Sequence, residues 1–289
     1  MTGSLTTWVV AAVRRNIQEF YLDISAVKIS RFPQCLFTCT SLIKLELKLG
    51  GNSSIIILPA SMDLPRLTFM KLDSLPSDVN LTNRLFLKCP VLEGHLGHMD
   101  LQISSLTLKH LQIVDFVSKT SSEVKIDAPN LVSFKCRDYM SKWYVLENLA
   151  SLVTADIDMR ATKEEAAKIK DYIKNNWLLL SALSSVKELR LSEGVLAICS
   201  MPKSDIPDSE EYWAGVSPDH LRSVEIRGLT GQFNNELKFV EIMFKKAVIL
   251  ETMVLFSCKK SMTDKRLITF REKLPTLPRA SSNVATFLI

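Results

Sequence analysis

Apolar residues return in one three-slot arrangement, leucine-x-x-leucine-x-leucine, along most of this chain. It is plainest in Thr40–Leu49, TSLIKLELKL, where Leu42, Leu45 and Leu47 hold the slots. Leu45 and Leu47, two apart, share one face of an extended strand, and Lys44, Glu46 and Lys48 take the other. Leu42 precedes the strand and turns inward over the same apolar layer. A strand this short is not stable alone, so the arrangement carries weight only through repetition.

It does repeat. Ile17/Phe20/Leu22, Leu42/Leu45/Leu47 and Leu67/Met70/Leu72 follow one another at equal intervals. Leu92 holds the next anchor with His95 and Gly97 in the partner slots, a degenerate unit. The pattern recovers at Leu108/Leu111/Ile113, Leu131/Phe134/Cys136 and Leu152/Ala155/Ile157, after shorter and uneven gaps. Val186/Leu189/Leu191, Leu221/Val224/Ile226 and Leu250/Met253/Leu255 complete the series. Spacing on this scale is that of leucine-rich repeats, each unit a strand and a returning segment. The predicted fold is therefore α/β: an irregular solenoid with a curved parallel sheet and helices or loops on its convex side.

Prolines at Pro33, Pro65, Pro90 and Pro129 precede anchors and mark turns at the edges of the repeats. The composition changes at Ala161. Thr162-Lys163-Glu164-Glu165 has the form of a capping box, and Ala166, Ile169, Ile173, Trp177 and Leu180 fall at helical spacing. The spacing predicts an amphipathic helix over 163–180 and a surface loop over 201–218. A second helix is expected over 236–247, capped by Asn235, with Leu237, Val240, Phe244 and Ala247 on one side. Thr286–Ile289 reads as a terminal strand. The organisation expected is 1–160 repeats, 161–218 an inserted helix with a further repeat and loop, and 219–289 the closing section.

Composition narrows the function classes. The 289 residues are 47% apolar, enough for a sizeable core, and carry a net charge of +5. Lys and Arg interleave with Asp and Glu rather than forming a basic stripe, which argues against nucleic acid as a partner. Six cysteines, Cys35, Cys39, Cys89, Cys136, Cys199 and Cys258, are scattered through predicted core segments. With no secretory signal in the opening segment, they read as free thiols of a cytoplasmic or nuclear protein. The sequons at Asn52 and Asn80 carry little weight without a secretory route. The longest apolar runs fall far short of a membrane span, so no membrane association is expected.

Candidate chemistry is sparse. His95, His98 and Cys89 lie near one another but lack the fourth ligand at the tight spacing of a zinc site. Cys35 and Cys39 read as packing residues. Asp156 and Asp158 put two carboxylates on one side of a strand, without a neighbouring histidine or glycine-rich loop. Neither a nucleophile elbow, a phosphate loop nor a dinucleotide fingerprint is present. No enzyme, metal or cofactor is therefore expected. Function would sit on the strand positions that alternate with the apolar slots, the concave face of a solenoid. These are Tyr21, Lys44, Glu46, Lys71, Lys135, Arg137, Asp156, Asp158, Arg190, Glu225 and Arg227. Tyr21, Arg137, Arg190 and Arg227 have the side chains most often found as binding hot spots.

Several segments resemble a known family. WVVAAVRRN from Trp8, LFTCTSL from Leu36, KCPVLE from Lys88 and IDAPNL from Ile126 look like the leucine-rich region of plant F-box proteins. The closing section, HLRSVEIRGLTGQFNNELKFVEIMFKKAVILETM with the later LPRASS, is similar to the FBD domain at their C-termini. The resemblance implies a non-catalytic scaffold that binds a protein partner through its repeats. In the family an N-terminal F-box docks on the adaptor of a cullin-type ubiquitin ligase. Only a few residues precede Trp8 here, so adaptor binding is not carried over with the resemblance. A longer form carrying the F-box would be a substrate receptor of such a ligase.

Overall fold

A computed structural model describes residues 2–23, 33–48, 63–73, 101–114, 123–139, 143–160, 178–192, 194–195, 218–229, 234–257 and 265–289. The degenerate unit at Leu92, both sequons, most of the 163–180 helix and nearly all of the 201–218 loop lie outside these residues. Of that helix, residues 178–180 are described and are helical, and the helix runs on through 181. The chain divides into two compact units, Met1–Ser151 and Leu152–Ile289.

The first unit opens with helix α1 (Thr2–Arg14) and strand β1 (Glu19–Asp23), and continues through β2 (Lys44–Lys48) and β3 (Phe69–Asp73). Then come β4 (Leu101–Ser104), β5 (His110–Val114), β6 (Glu123–Asp127), β7 (Ser133–Tyr139) and β8 (Trp143–Glu147). Strands β1, β2, β3, β5 and β7 lie side by side, each pair parallel, and β4, β6 and β8 form a separate parallel sheet. The register is the one the repeats require: Phe20, Leu45, Met70, Leu111 and Phe134 are level with one another across the five strands.

In the second unit β9 (Thr154–Arg160), β10 (Glu188–Leu191), β11 (Ser223–Leu229), β12 (Thr252–Ser257) and β13 (Ala285–Leu288) are parallel neighbours. Helix α2 (Asn234–Lys246) precedes β12, and α3 (Lys265–Lys273) precedes β13. Ala155, Leu189, Val224 and Met253 make the level rank here. In every described unit from Leu42 onward all three apolar slots are buried. The first, Ile17/Phe20/Leu22, is only half-buried because β1 has a single strand neighbour among the described residues.

Two backbone devices build each rung. The anchor's N–H donates to the carbonyl three residues earlier: Leu42 to Cys39, Leu67 to Leu64, Leu131 to Ala128, Val186 to Leu183, Leu221 to Pro218, Leu250 to Ala247. Such a tight turn forces the anchor side chain inward, and Pro65 and Pro129 stand at its second position, where fixed φ helps. Leu108 instead donates to the Ser105 hydroxyl at 3.1 Å, a side chain replacing the carbonyl. The residue after the anchor then accepts from two successive amides of the next rung. Ile43 takes Thr68 and Phe69, Thr68 takes Lys109 and His110, and Val153 takes Lys187 and Glu188.

Between its two sheets the first unit buries a polar pair. Asp138 continues the inward face of β7 after Phe134 and Cys136, and accepts a 2.6 Å hydrogen bond from the Tyr144 hydroxyl of β8. Phe134 and Tyr144 also meet ring to ring, at 6.3 Å. Burial, reinforced by the Asp138 charge, holds the Tyr144 phenol well above its ordinary value.

Helix α2 begins one residue before the expected cap, so Asn235 lies inside it. Its buried face is Phe239, Val240, Met243 and Phe244, with Ala247 buried just past its end, while Leu237 is half-buried. The LPRASS stretch is tied to the end of this helix. Arg279 stands 4.8 Å over the Phe244 ring, the Ala280 N–H donates to the Phe244 carbonyl, and Ser281 Oγ donates to the Leu250 carbonyl at 2.6 Å. Strand β13 confirms the terminal strand one residue earlier than expected, with Thr286 level with Met253.

Two stability measurements follow. Tyr144→Phe should lower unfolding free energy by about 1–3 kcal/mol at neutral pH, the cost of removing a donor from a buried carboxylate. The unfolded chain ionises Tyr144 first, so wild-type stability from this group falls as pH rises past about 10, and the difference from Tyr144→Phe should narrow there. Urea titrations at pH 7 and pH 10.5 (about half a unit above that ordinary value) read both effects. Thr286 Oγ1 is buried with no hydrogen-bond partner among the described residues. Thr286→Val should therefore raise stability by up to about 1 kcal/mol in the same assay.

Candidate functional site

Parallel strands in register place equivalent residues side by side, about 4.8 Å apart, so the positions between the apolar slots form rows. In the first unit one row is Tyr21, Glu46, Lys71, Gln112 and Lys135, and the next is Asp23, Lys48, Asp73, Val114 and Arg137. Tyr21, on the outermost strand, is 63% exposed. Lys44 Nζ lies 2.8 Å from Glu46 Oε1 and 5.2 Å above the Phe69 ring, so its charge has both an anion and a π face. Lys48 pairs with Asp23 at 3.3 Å. The hydrogen bonds and charges of Glu46 and Asp23 raise Lys44 and Lys48 above the ordinary lysine value.

In the second unit the middle row is Asp156, Arg190, Glu225, Val254 and Phe287. Arg190 Nε is 3.2 Å from Glu225 Oε2, and Arg227 Nε donates to Glu225 Oε1 at 2.6 Å while its Nη1 lies 3.6 Å from Asp156 Oδ1. One carboxylate thus holds two guanidiniums by different oxygens. Burial alone would lower Arg227, but the hydrogen bond to Glu225 and the Asp156 charge outweigh it and raise the group. Arg160 reaches Asp158 at 3.9 Å. Directly after Arg227, Gly228 has φ 83° and the pairing with β12 slips, a bulge that turns Leu229 back into the core. A side chain at Gly228 would meet the left-handed penalty, so the glycine is what lets Arg227 and Leu229 face opposite ways.

The structure brings Tyr21, Lys44, Glu46, Lys71, Lys135 and Arg137 together on the first unit's strand face. Asp156, Asp158, Arg190, Glu225 and Arg227 share the second unit's face. None of them is buried. Charges alternate along the rows, as Asp23–Lys48–Asp73 and Asp156–Arg190–Glu225 show. The apolar end of the second row, Val254 and Phe287, had a visible signal in the same strand position and was not anticipated; Phe287 is 51% exposed. His95, His98 and Cys89 lie outside the described residues. Cys39 is buried with its Sγ 3.2 Å from Ser41 Oγ. No described helix is long and apolar enough to cross a membrane.

A parallel sheet built of level apolar ranks, with its other face polar and charged, is the fold of a leucine-rich-repeat protein. Residues 5–147 match the family model described as "FBD-associated F-box protein At5g56370, LRR repeats". From Arabidopsis thaliana, "F-box/LRR-repeat protein At1g06630" is 32% identical over 66% of this chain and 48% of its own length. "FBD-associated F-box protein At4g10400" is 32% identical over 65% and 44%, and "F-box/LRR-repeat protein At3g59210" 27% over 69% and 45%. Residues 5–147 thus match the repeats of this family, and the chain is similar to plant F-box/LRR and FBD-associated F-box proteins. It spans less than half the length of these curated relatives. No solved structure matches it.

Glu225→Gln should test how the arginines are held. Loss of the shared carboxylate should change unfolding free energy by no more than about 1 kcal/mol, as expected of half-exposed ion pairs. The guanidinium Nε–H resonances of Arg190 and Arg227 should move together in NMR spectra of the variant.

Proposed function

We propose that this protein is a non-catalytic interaction scaffold that binds a protein partner through the strand faces opposite its leucine layer. What supports this is the Asp156–Arg190–Glu225–Arg227 network, in which one carboxylate holds two half-exposed guanidiniums on a face that also carries the exposed Phe287, two strands from Glu225. Arginines already oriented by ion pairs need little further ordering when a partner arrives. Residues 219–289 are read as an FBD-like end of the solenoid. In the first unit Tyr21, Lys71, Lys135 and Arg137 are the matching contacts. The partner is a protein; neither nucleic acid nor a membrane is expected, no cofactor is required, and the setting is cytoplasmic or nuclear.

The F-box named in the relatives favours a second reading, in which a longer form of this chain is the substrate receptor of an SCF-type ubiquitin ligase. On that reading the same strand faces select the protein to be ubiquitinated. Transcript sequencing upstream of Met1 separates the two: an in-frame F-box supports the receptor.

Affinity capture from plant extract, quantified by mass spectrometry, tests the binding face. Arg190→Glu/Arg227→Glu should reduce recovery of a true partner about tenfold or more, the scale of one lost hot spot. Lys71→Glu/Lys135→Glu/Arg137→Glu tests the first unit separately. Unchanged recovery with both sets, in proteins that melt as the wild type does, rules out the strand faces.

A further inference from the structure

The turns that push the anchors inward leave a second surface in the first unit, at the N-terminal ends of its strands. A groove of about 530 Å³ runs there, lined by the turn residues and by the residue that follows each anchor. Its floor is the column Ile43, Thr68, Lys109 and Val132. The carbonyls of Ile43, Thr68 and Lys109 each already accept two amides from the next rung, so these three are taken up within the sheet. Recognition along this column then rests on side chains.

Those side chains are of two kinds. Pro65 and Leu106 stand exposed on the wall, Leu106 with 75% of its surface in water. Arg66 and Lys109 are exposed beside them, and neither has an ion-pair partner among the described residues. This contrasts with the strand face, where Lys44, Lys48, Arg190 and Arg227 are all paired. The turn at Asn130 is locked to the one before it, its Nδ2 donating to the Leu106 carbonyl at 2.7 Å, so this wall is preorganised.

We propose that this groove binds an extended acidic segment of another protein, with a carboxylate on Arg66 and Lys109 and an apolar side chain against Leu106 and Pro65. The anchors at 42, 67, 108 and 131 span three rung spacings. At about 4.8 Å each these cover roughly 14 Å, the length of about four extended residues. A free phosphate would meet the cations but leave the apolar wall in water. A short acidic and apolar peptide satisfies both, with the arginine supplying forked hydrogen bonds to a carboxylate. This inference is independent of the strand-face reading.

Fluorescence polarisation with the full 289-residue chain tests it. The probes are a labelled peptide, acetyl-Glu-Leu-Asp-Glu-Leu-Asp, its counterpart with lysine at every acidic position, and a labelled twelve-nucleotide oligothymidine. Saturable binding of the acidic peptide alone is expected, weakening as salt rises. Arg66→Glu/Lys109→Glu should weaken it at least about tenfold, the loss expected of one charge-assisted hydrogen bond. Arg66→Lys/Lys109→Arg should largely restore it, Leu106→Ser should weaken it without changing its salt dependence, and Arg190→Glu/Arg227→Glu should leave it unchanged. Absent binding, equal binding of the lysine peptide, an effect confined to the oligonucleotide, or insensitivity to Arg66→Glu/Lys109→Glu overturns the proposal.

Discussion

The fold depends on keeping apolar slots level from one parallel strand to the next. Parallel strands have no hairpin to set their pairing, and a slip of one residue would carry every leucine to the solvent side. Two interactions fix the register here. The turn closed by each anchor's own amide starts the strand at a defined point. The carbonyl after the anchor, shared by two amides of the following rung, then locks that point to its neighbour. Leu42, Leu67, Leu131, Val186, Leu221 and Leu250 make the turn with different intervening residues. The geometry is thus a property of the backbone, and the sequence needs to supply only an apolar anchor. Unequal gaps between anchors are tolerated because extra length goes into the returning segment without disturbing that lock.

Slots of this kind were legible in the sequence because burial and a period of two act on the same residues. All three slots of every unit from Leu42/Leu45/Leu47 to Leu250/Met253/Leu255, the undescribed one at Leu92 aside, lie in the core. The second sheet of the first unit was not legible. Its strands alternate, as Glu123–Asp127 shows with Val124 and Ile126 inward, but lack the leading anchor that identifies the other strands. Helix α1 was missed because only Val9 of its described side chains is fully buried, so its apolar residues keep no clear stripe. Helix α2 was found with part of its face, since Leu237 is as apolar as Phe239 and only packing tells them apart.

Asp138 shows a different limit. It occupies an inward slot where an apolar residue is expected, and its partner Tyr144 is reached only by crossing to the other sheet. No local pattern encodes that contact. The bulge at Gly228 is similar, since a glycine in a strand has several readings until the neighbouring strand shows the slip. Of the strand-face residues, membership followed from alternation, whereas the pairing did not. Whether Arg227 reaches across to Asp156 depends on strand order, and long connecting segments separate β9, β10 and β11 in the chain.

The distribution of paired and unpaired charge has a consequence for recognition. On the second unit's face Arg190 and Arg227 are met by Glu225 and Asp156, so the cluster has no net charge and projects little field beyond a Debye length. Such a surface discriminates at contact, by shape and hydrogen-bond geometry, and contributes little to long-range steering. The strand-start edge of the first unit is the reverse, with Arg66 and Lys109 unmatched among the described residues and beside apolar side chains. Charge that is already matched within a protein has no energy left to gain from a partner except by exchange, in which one ion pair is broken to make another. Unmatched charge gains the whole interaction, less the cost of its own desolvation. A protein with both kinds of surface can therefore hold one ligand by complementarity of form and a second by complementarity of charge, without the two competing for the same side chains.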